Sequence, residues 1–245
     1  MSAVSRAPAT PQRRMFERRQ PCASSRDESG ASAKQPREPH IYSEVEITEL
    51  LRAAARLWPS TGLRPRTYTT LFGLLASTGL RIAEALRLTR DEVDLDAGIL
   101  TVSETKFHKS RLVPLHRTTI MILRSYAEHR DWFCPVPRAR TFFLSDAGVP
   151  MKYRRVNETF VKLRRQLGWT ATGGRRPPRI HDLRHAFACR RLLSWYQDGA
   201  DVSLKIPALS TYLGHVKVTD TYWYLSALPE LMACAGTRFE KGGGR

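Results

Sequence analysis

The segment Ser77-Thr78-Gly79-Leu80-Arg81-Ile82-Ala83-Glu84-Ala85-Leu86 decides how this chain is read. Gly79 lets the backbone turn sharply and breaks a helical pattern that runs from about Arg66 to Ser77 through Leu71, Leu74 and Leu75. A shorter helix is expected from Arg81 to Leu88. That places Arg81 at a helix start with Glu84 one turn later, where the carboxylate can hold the guanidinium. Upstream, Ser43-Glu44-Val45-Glu46 has the Ser-x-x-Glu form of a capping box, followed by Ile47, Leu50, Leu51, Ala54 and Leu57 at helical spacing until Pro59 stops the pattern. Three helices in tandem therefore open the domain.

Downstream of Asp91 the period changes. Val93 and Leu95, the turn Asp96-Ala97-Gly98, Ile99 to Val102 and Arg111 to Leu115 read as a small antiparallel sheet. Helical patterns resume at about Arg117 to His129, Arg154 to Leu167, Ile180 to Tyr196, Ile206 to Leu213, and a final pair around Tyr222 and from Leu228 to Ala235. The expected class is mainly α with a small antiparallel β-sheet, an α+β domain over residues 41–238. Residues 1–40 are rich in Pro, Ser, Gln and Arg with almost no aliphatic periodicity, and are expected to form a disordered basic tail. Residues 239–245 are expected to be a flexible C-terminal tail.

The chain has 245 residues, 40 Lys+Arg against 23 Asp+Glu, and a formal net charge of +17. With 42% hydrophobic residues it is able to bury a real core, so the surplus charge sits on a folded body. Such a field concentrates polyanions, with nucleic acid ahead of anionic membrane and acidic proteins. No apolar run approaches the roughly 18 residues needed to span a bilayer. Cys22, Cys134, Cys189 and Cys234 lie far apart without a C-x-x-C pair, which argues against structural zinc and a disulfide framework. The amino terminus lacks the apolar core of a secretory signal. A cytoplasmic, DNA-associated protein is expected, with no membrane partner.

Three segments carry groups able to handle a phosphate. Arg81 with Glu84 is the first, although an exposed Arg paired with an i+3 Glu reads the same way. In the second, Ile180-His181-Asp182-Leu183-Arg184-His185, the i, i+3 spacing brings His181 and Arg184 onto one helix face, a proton-transfer group beside a phosphate-matching fork. A solvated basic face would look alike. The third is Leu213-Gly214-His215, followed nine residues after the histidine by Tyr224 in Asp220-Thr221-Tyr222-Trp223-Tyr224-Leu225. A phenol needs neighbouring cations and a base before it attacks anything at neutral pH. An aromatic core stripe is the plainer account of Tyr222, Trp223 and Tyr224.

The order of these motifs is decisive. Thr78-Gly79-Leu80-Arg81, Lys106 in Thr105-Lys106-Phe107-His108-Lys109-Ser110-Arg111-Leu112-Val113-Pro114-Leu115, His181-x-x-Arg184, Leu213-Gly214-His215 and Tyr224 closely resemble the catalytic signature of the tyrosine recombinases, the phage integrase family. The likeness covers roughly Ile41 to Ala235. It implies the family's DNA breaking-rejoining fold, with Arg81 and Arg184 gripping the scissile phosphate, Tyr224 as nucleophile and His181 assisting removal of its proton. Lys106 would be the general acid on the leaving 5′-oxygen, His215 would hydrogen-bond the phosphate, and Glu84 would support the site. Tyr222 and Tyr224 point about 200° apart on a helix, so only one faces the pocket, and the interval from His215 selects Tyr224. Lys109, Arg111, Arg154, Arg155, Arg175 and Arg176 are candidate contacts to backbone phosphate.

The implied chemistry stores each broken phosphodiester as a protein-DNA ester. It needs neither a nucleotide cofactor nor a metal, and no cofactor is expected. The expected partners are a double-stranded recombination site and further copies of the chain, from dimer to tetramer, with the Leu228 to Ala235 helix docking on a neighbour. Family members usually carry a separate core-binding domain ahead of the catalytic one, and here a 40-residue tail stands in that place. A DNA-binding relic or regulator that does not complete strand exchange is therefore an alternative reading, and a type IB topoisomerase-like enzyme is a second.

Overall fold

The computed structural model describes residues 39–103, 110–171 and 176–226. Lys106, Lys109, Arg175 and the expected helix Leu228 to Ala235 lie outside the described residues.

Helix α1 (Glu44–Ala55) starts on the expected capping box. Ser43 Oγ accepts the Glu46 amide at 3.2 Å, and the Glu46 carboxylate accepts the Ser43 amide at 2.7 Å. Helix α2 (Arg64–Thr78) is the hub of the fold: Tyr68, Leu71, Phe72, Leu74 and Leu75 are all buried. Two of its buried threonines have partners: Thr67 Oγ1 donates to the Leu144 carbonyl at 2.9 Å and Thr78 Oγ1 to the Leu74 carbonyl at 2.6 Å, whereas Thr69 Oγ1 has none among the described residues. The chain then turns through Gly79 into the short α3 (Ile82–Arg87).

A three-stranded antiparallel sheet follows in the order β1 (Val93–Asp94), β2 (Ile99–Val102), β3 (Arg111–Pro114). Register pairs Leu100 with both Val93 and Val113, so three buried side chains line one face. The remaining elements are α4 (Arg117–Phe133), α5 (Tyr153–Gln166), α6 (Asp182–Gln197), α7 (Val202–Leu213) and α8 (Thr219–Ser226).

Two boundaries differ clearly from the pattern reading, and the first is the end of α4, which runs four residues past His129 to Phe133. α7 begins four residues before Ile206, because Asp201 caps it by accepting the Ser203 and Leu204 amides at 2.9 and 3.4 Å. Pro207 sits inside this helix rather than at its start. The larger core gathers around α2, and a second cluster joins Phe187, Ala188 and Leu192 of α6 to Val202, Ile206, Leu209 and Leu213 of α7 and Tyr224 of α8. This second cluster packs the last three described helices behind the cationic residues described next.

Candidate active site

Two helices end at the site on glycines in the left-handed conformation: α2 at Gly79 (φ +65°) and α7 at Gly214 (φ +69°). A helix C-terminus leaves its last carbonyls without intrahelical partners and carries the negative end of the helix dipole. Arginines satisfy both ends. Arg184, in the first turn of α6, donates Nη1 to the Gly79 carbonyl at 2.8 Å and Nη2 to the Leu213 carbonyl at 2.6 Å. Arg81, immediately before α3, donates Nη2 to the Gly214 carbonyl at 2.8 Å. A guanidinium has more N–H groups than these bonds use, so each arginine keeps donors for a further acceptor.

Glu84 neutralises part of this charge. Its carboxylate accepts the Arg81 amide and Arg81 Nη1, each at 2.9 Å, and Arg111 Nη1 and Nη2 at 3.1 and 2.8 Å. Burial pushes this carboxyl up, but hydrogen bonds and charge from Arg111 and hydrogen bonds from Arg81 outweigh it and hold the pKa at about 2. Arg111 was expected on backbone phosphate; in the structure it lies against Glu84. Its side chain is 10% exposed, its terminal nitrogens close on Glu84, and its Nε donates to the Tyr212 carbonyl at 2.8 Å. Glu84 has lone pairs enough for two guanidiniums, and the sequence reading gave it only one.

Tyr224 and Tyr222 of α8 face apart as helix geometry requires: Tyr224 is 2% exposed and Tyr222 46%. The Tyr224 hydroxyl lies 2.9 Å from Nδ1 of His185. His185 was not among the expected site residues. The signal was its position four residues after His181, which puts both rings on one helix face with centroids 4.9 Å apart. On its other side Tyr224 stacks on His215, centroids 6.2 Å apart and planes 19° apart. His215 Nδ1 is engaged by the Thr221 hydroxyl at 2.7 Å, which leaves Nε2 for a ligand. The start of α6 is pinned by buried Asp182, which accepts the Arg179 amide at 2.8 Å and Arg179 Nη2 at 2.9 Å.

Burial dominates the electrostatics of this cluster. It raises the Tyr224 phenol to about 12 despite the opposing charges of Arg184 and Arg81. It lowers His185 and His215 to about 4, with help from His181 and Arg184 for the first and from Arg184 and Arg81 for the second. His181 shifts in the same direction, through burial and then Arg184. Arg184 falls to about 10 through burial and the nearby Arg81. At neutral pH the cluster therefore consists of arginine cations, neutral imidazoles and a protonated phenol, an arrangement waiting for an anion.

The remaining arginines stand apart. Arg154 and Arg155, 88% and 79% exposed, pair with Glu158, and Arg176 is exposed. Among the described residues no group of three or more His, Cys, Asp or Glu side chains could hold a metal ion, and no helix is long and apolar enough to cross a membrane.

Residues 42–230 match the sequence profile of the phage integrase family. The chain belongs to the phage integrase family. Within the family, a protein of Sinorhizobium fredii named integrase/recombinase y4rB is 44% identical over 207 residues, which is 83% of this chain and 66% of that one. Tyrosine recombinase XerD of Bifidobacterium longum is 30% identical over 201 residues, 79% of this chain and 60% of that one. This integrase-family chain thus spans no more than about two thirds of the length of the curated relatives it matches. Its fold is shared with XerA recombinase (TM-score 0.62, 24% identity, 85% of this chain and 65% of that one) and with XerH recombinase (TM-score 0.60, 20% identity, 82% and 54%).

Proposed function

We propose that this chain is the strand-transfer part of a site-specific DNA recombinase or integrase, cutting and rejoining DNA through a covalent 3′-phosphotyrosine. The observation that carries the reading is the buried Tyr224 hydroxyl, set among Arg184, Arg81 and His215 with no acidic side chain hydrogen-bonded to it among the described residues. A phenol in that setting is suited to attack a phosphodiester, whose charge the arginines offset.

Arg81 and Arg184 receive the non-bridging oxygens. Because helix-end carbonyls already orient them, little reorganisation accompanies the build-up of charge in the pentavalent transition state. His215 Nε2 adds a hydrogen bond to the same phosphate, while His181, expected to assist removal of the Tyr224 proton, lies edge to face against His185. Tyr224 Oη bonds to phosphorus as the bond to the 5′-oxygen breaks, and Lys106 gives that oxygen its proton. Religation reverses each step and conserves the bond energy in the ester. DNA as partner and self-association on it also belong to this proposal. Among proteins of the same fold, XerH has been seen bound to its palindromic difH substrate after cleavage, and lambda integrase as a dimer on a core site.

The test is incubation of the full chain with a pool of nicked duplexes tiled across the DNA that flanks its coding region, followed by denaturing electrophoresis. A protein-DNA adduct whose phosphopeptide maps to Tyr224, and which is absent with Tyr224→Phe, is the expected result. Equal trapping by Tyr224→Phe would overturn the assignment. Relaxation of supercoiled plasmid without regard to sequence would favour the topoisomerase-like reading instead.

A further inference from the structure

We infer that His185 is a catalytic residue, the acceptor of the Tyr224 hydroxyl proton during attack. The inference rests on the reading of Tyr224 as the attacking group. Among the described residues, the hydrogen bond recorded for the Tyr224 hydroxyl goes to His185 Nδ1, at 2.9 Å. Arg184 and Arg81 influence the phenol electrostatically, but guanidiniums only donate and cannot take its proton. His215 faces the ring of Tyr224 rather than its hydroxyl, and its Nδ1 belongs to Thr221. His181 touches His185 edge to face, one turn earlier on α6. Among the described residues, geometry therefore gives the nucleophile one basic neighbour within transfer distance, a condition that comes before any matching of pKa values.

The surroundings also keep the ring neutral. A neutral imidazole has one nitrogen that accepts and one that donates, so an Nδ1 that accepts from Tyr224 leaves the proton on Nε2. The groups around His185 are His181, Arg184, Arg179, Asp182 and Tyr224; burial first, then His181, Arg184 and Arg179 against Asp182, lowers it to about 4, so the ring is neutral with an open lone pair but a weak base before an anion binds. In the transfer the phenolic proton moves to Nδ1, the Tyr224 Oη–P bond forms, and the P–O5′ bond breaks with its electron pair on O5′. That oxygen takes a proton from Lys106. Religation returns the His185 proton to Tyr224, so no oxidant, metal or second reactant enters.

Three measurements on the full chain test this. His185→Asn keeps an amide oxygen near the Nδ1 position but has no base, so it should slow adduct formation by about a hundredfold or more, within the range of general base catalysis, while leaving duplex binding unchanged. A substrate with sulfur in place of the bridging 5′-oxygen needs no acid on its leaving group. It should restore Lys106→Ala but not His185→Asn. In nitrogen NMR of histidine-labelled protein without DNA, His185 Nδ1 should show the unprotonated signature and shift in Tyr224→Phe.

Wild-type cleavage rates in His185→Asn, rescue of that variant by the sulfur substrate, or a proton on Nδ1 in the resting protein would each overturn the inference. Should His185→Asn not fold, His185→Gln and the NMR comparison decide. Should the wild-type chain form no adduct, the cleavage reading fails by itself, and the NMR result still decides whether His185 accepts from Tyr224.

Discussion

Glu84 and Arg111 form a two-pronged ion pair, Nη2 to Oε2 at 2.8 Å and Nη1 to Oε1 at 3.1 Å, and the same carboxylate holds Arg81. The pair joins β3 to α3, so a residue on the sheet sets the position of a guanidinium that the proposed chemistry aims at phosphate. Removing one partner of such a buried pair strands the other. Glu84→Ala is expected to cost about 3 kcal/mol of stability in urea unfolding and to reduce cleavage further, because Arg81 loses its anchor. A loss below about 1 kcal/mol would show that the pair is solvent-relaxed.

Arg111→Ala separates a scaffold role from a phosphate contact. A lysine or arginine on backbone phosphate contributes about 0.9 to the slope of log affinity against log salt on B-DNA. Arg111→Ala is expected to leave that slope unchanged on a mixed-sequence duplex while lowering stability. A slope reduced by about one contact would return Arg111 to the DNA surface. The exposed Arg154 and Arg155 provide the comparison.

Gly79→Ala should be more damaging than Gly214→Ala. Both positions have positive φ, where an L side chain costs about 1 to 2 kcal/mol. A Cβ at Gly79 would also stand 2.5 Å from Phe187 Cδ1, in packed core, whereas at Gly214 it would meet Arg111 Nη1 at 2.8 Å. Thermal unfolding is expected to place Gly79→Ala at about 3 kcal/mol of destabilisation. Gly214→Ala should lose less stability and proportionately more cleavage, as Arg111 is pushed off Glu84. The reverse ranking would contradict the packing argument.

Acid should destabilise the protein in two windows. His185 and His215 have folded pKa values of about 4, below the ordinary 6.5, so the unfolded chain takes up their protons first. Their contribution is intact above pH 6.5 and declines as pH falls towards 4. Glu84 acts lower: its folded value of about 2 lies below the ordinary 4.5, and its contribution is lost as pH falls through that interval. Urea midpoints measured from pH 8 to 3 should begin to fall near 6.5 in the wild type. In the His185→Asn, His215→Asn double variant the first decline should be much reduced. His181 shifts in the same direction and keeps the onset near 6.5, so a decline as steep as the wild type's would mean that His185 and His215 have ordinary values in the native state.

The fold was legible where local chemistry decides it. The capping box at Ser43 fixed the start of α1, and the alternation of Val93, Leu100 and Val113 marked the sheet, because caps and periodicity are properties of adjacent residues. The start of α7 was placed four residues late because the Asp201 cap lies upstream of the apolar pattern that begins at Ile206. The partner of Arg111 and the place of His185 were missed for a different reason. Nothing in their neighbourhoods says that Arg111 meets Glu84 across 27 residues or that His185 meets Tyr224 across 39.

By itself the sequence determined the helical framework, the small sheet, the family, and the set of Arg81, Glu84, His181, Arg184, His215 and Tyr224 from which a site could be built. Tertiary structure alone decided which of them touch: that Arg184 bridges the ends of α2 and α7, that Arg111 turns inward, and that His185 holds the tyrosine. The physical reason is range. Helix caps and period act over a few bonds, whereas an ion pair or a shared proton depends on directions that exist only once the two cores have packed their helices together.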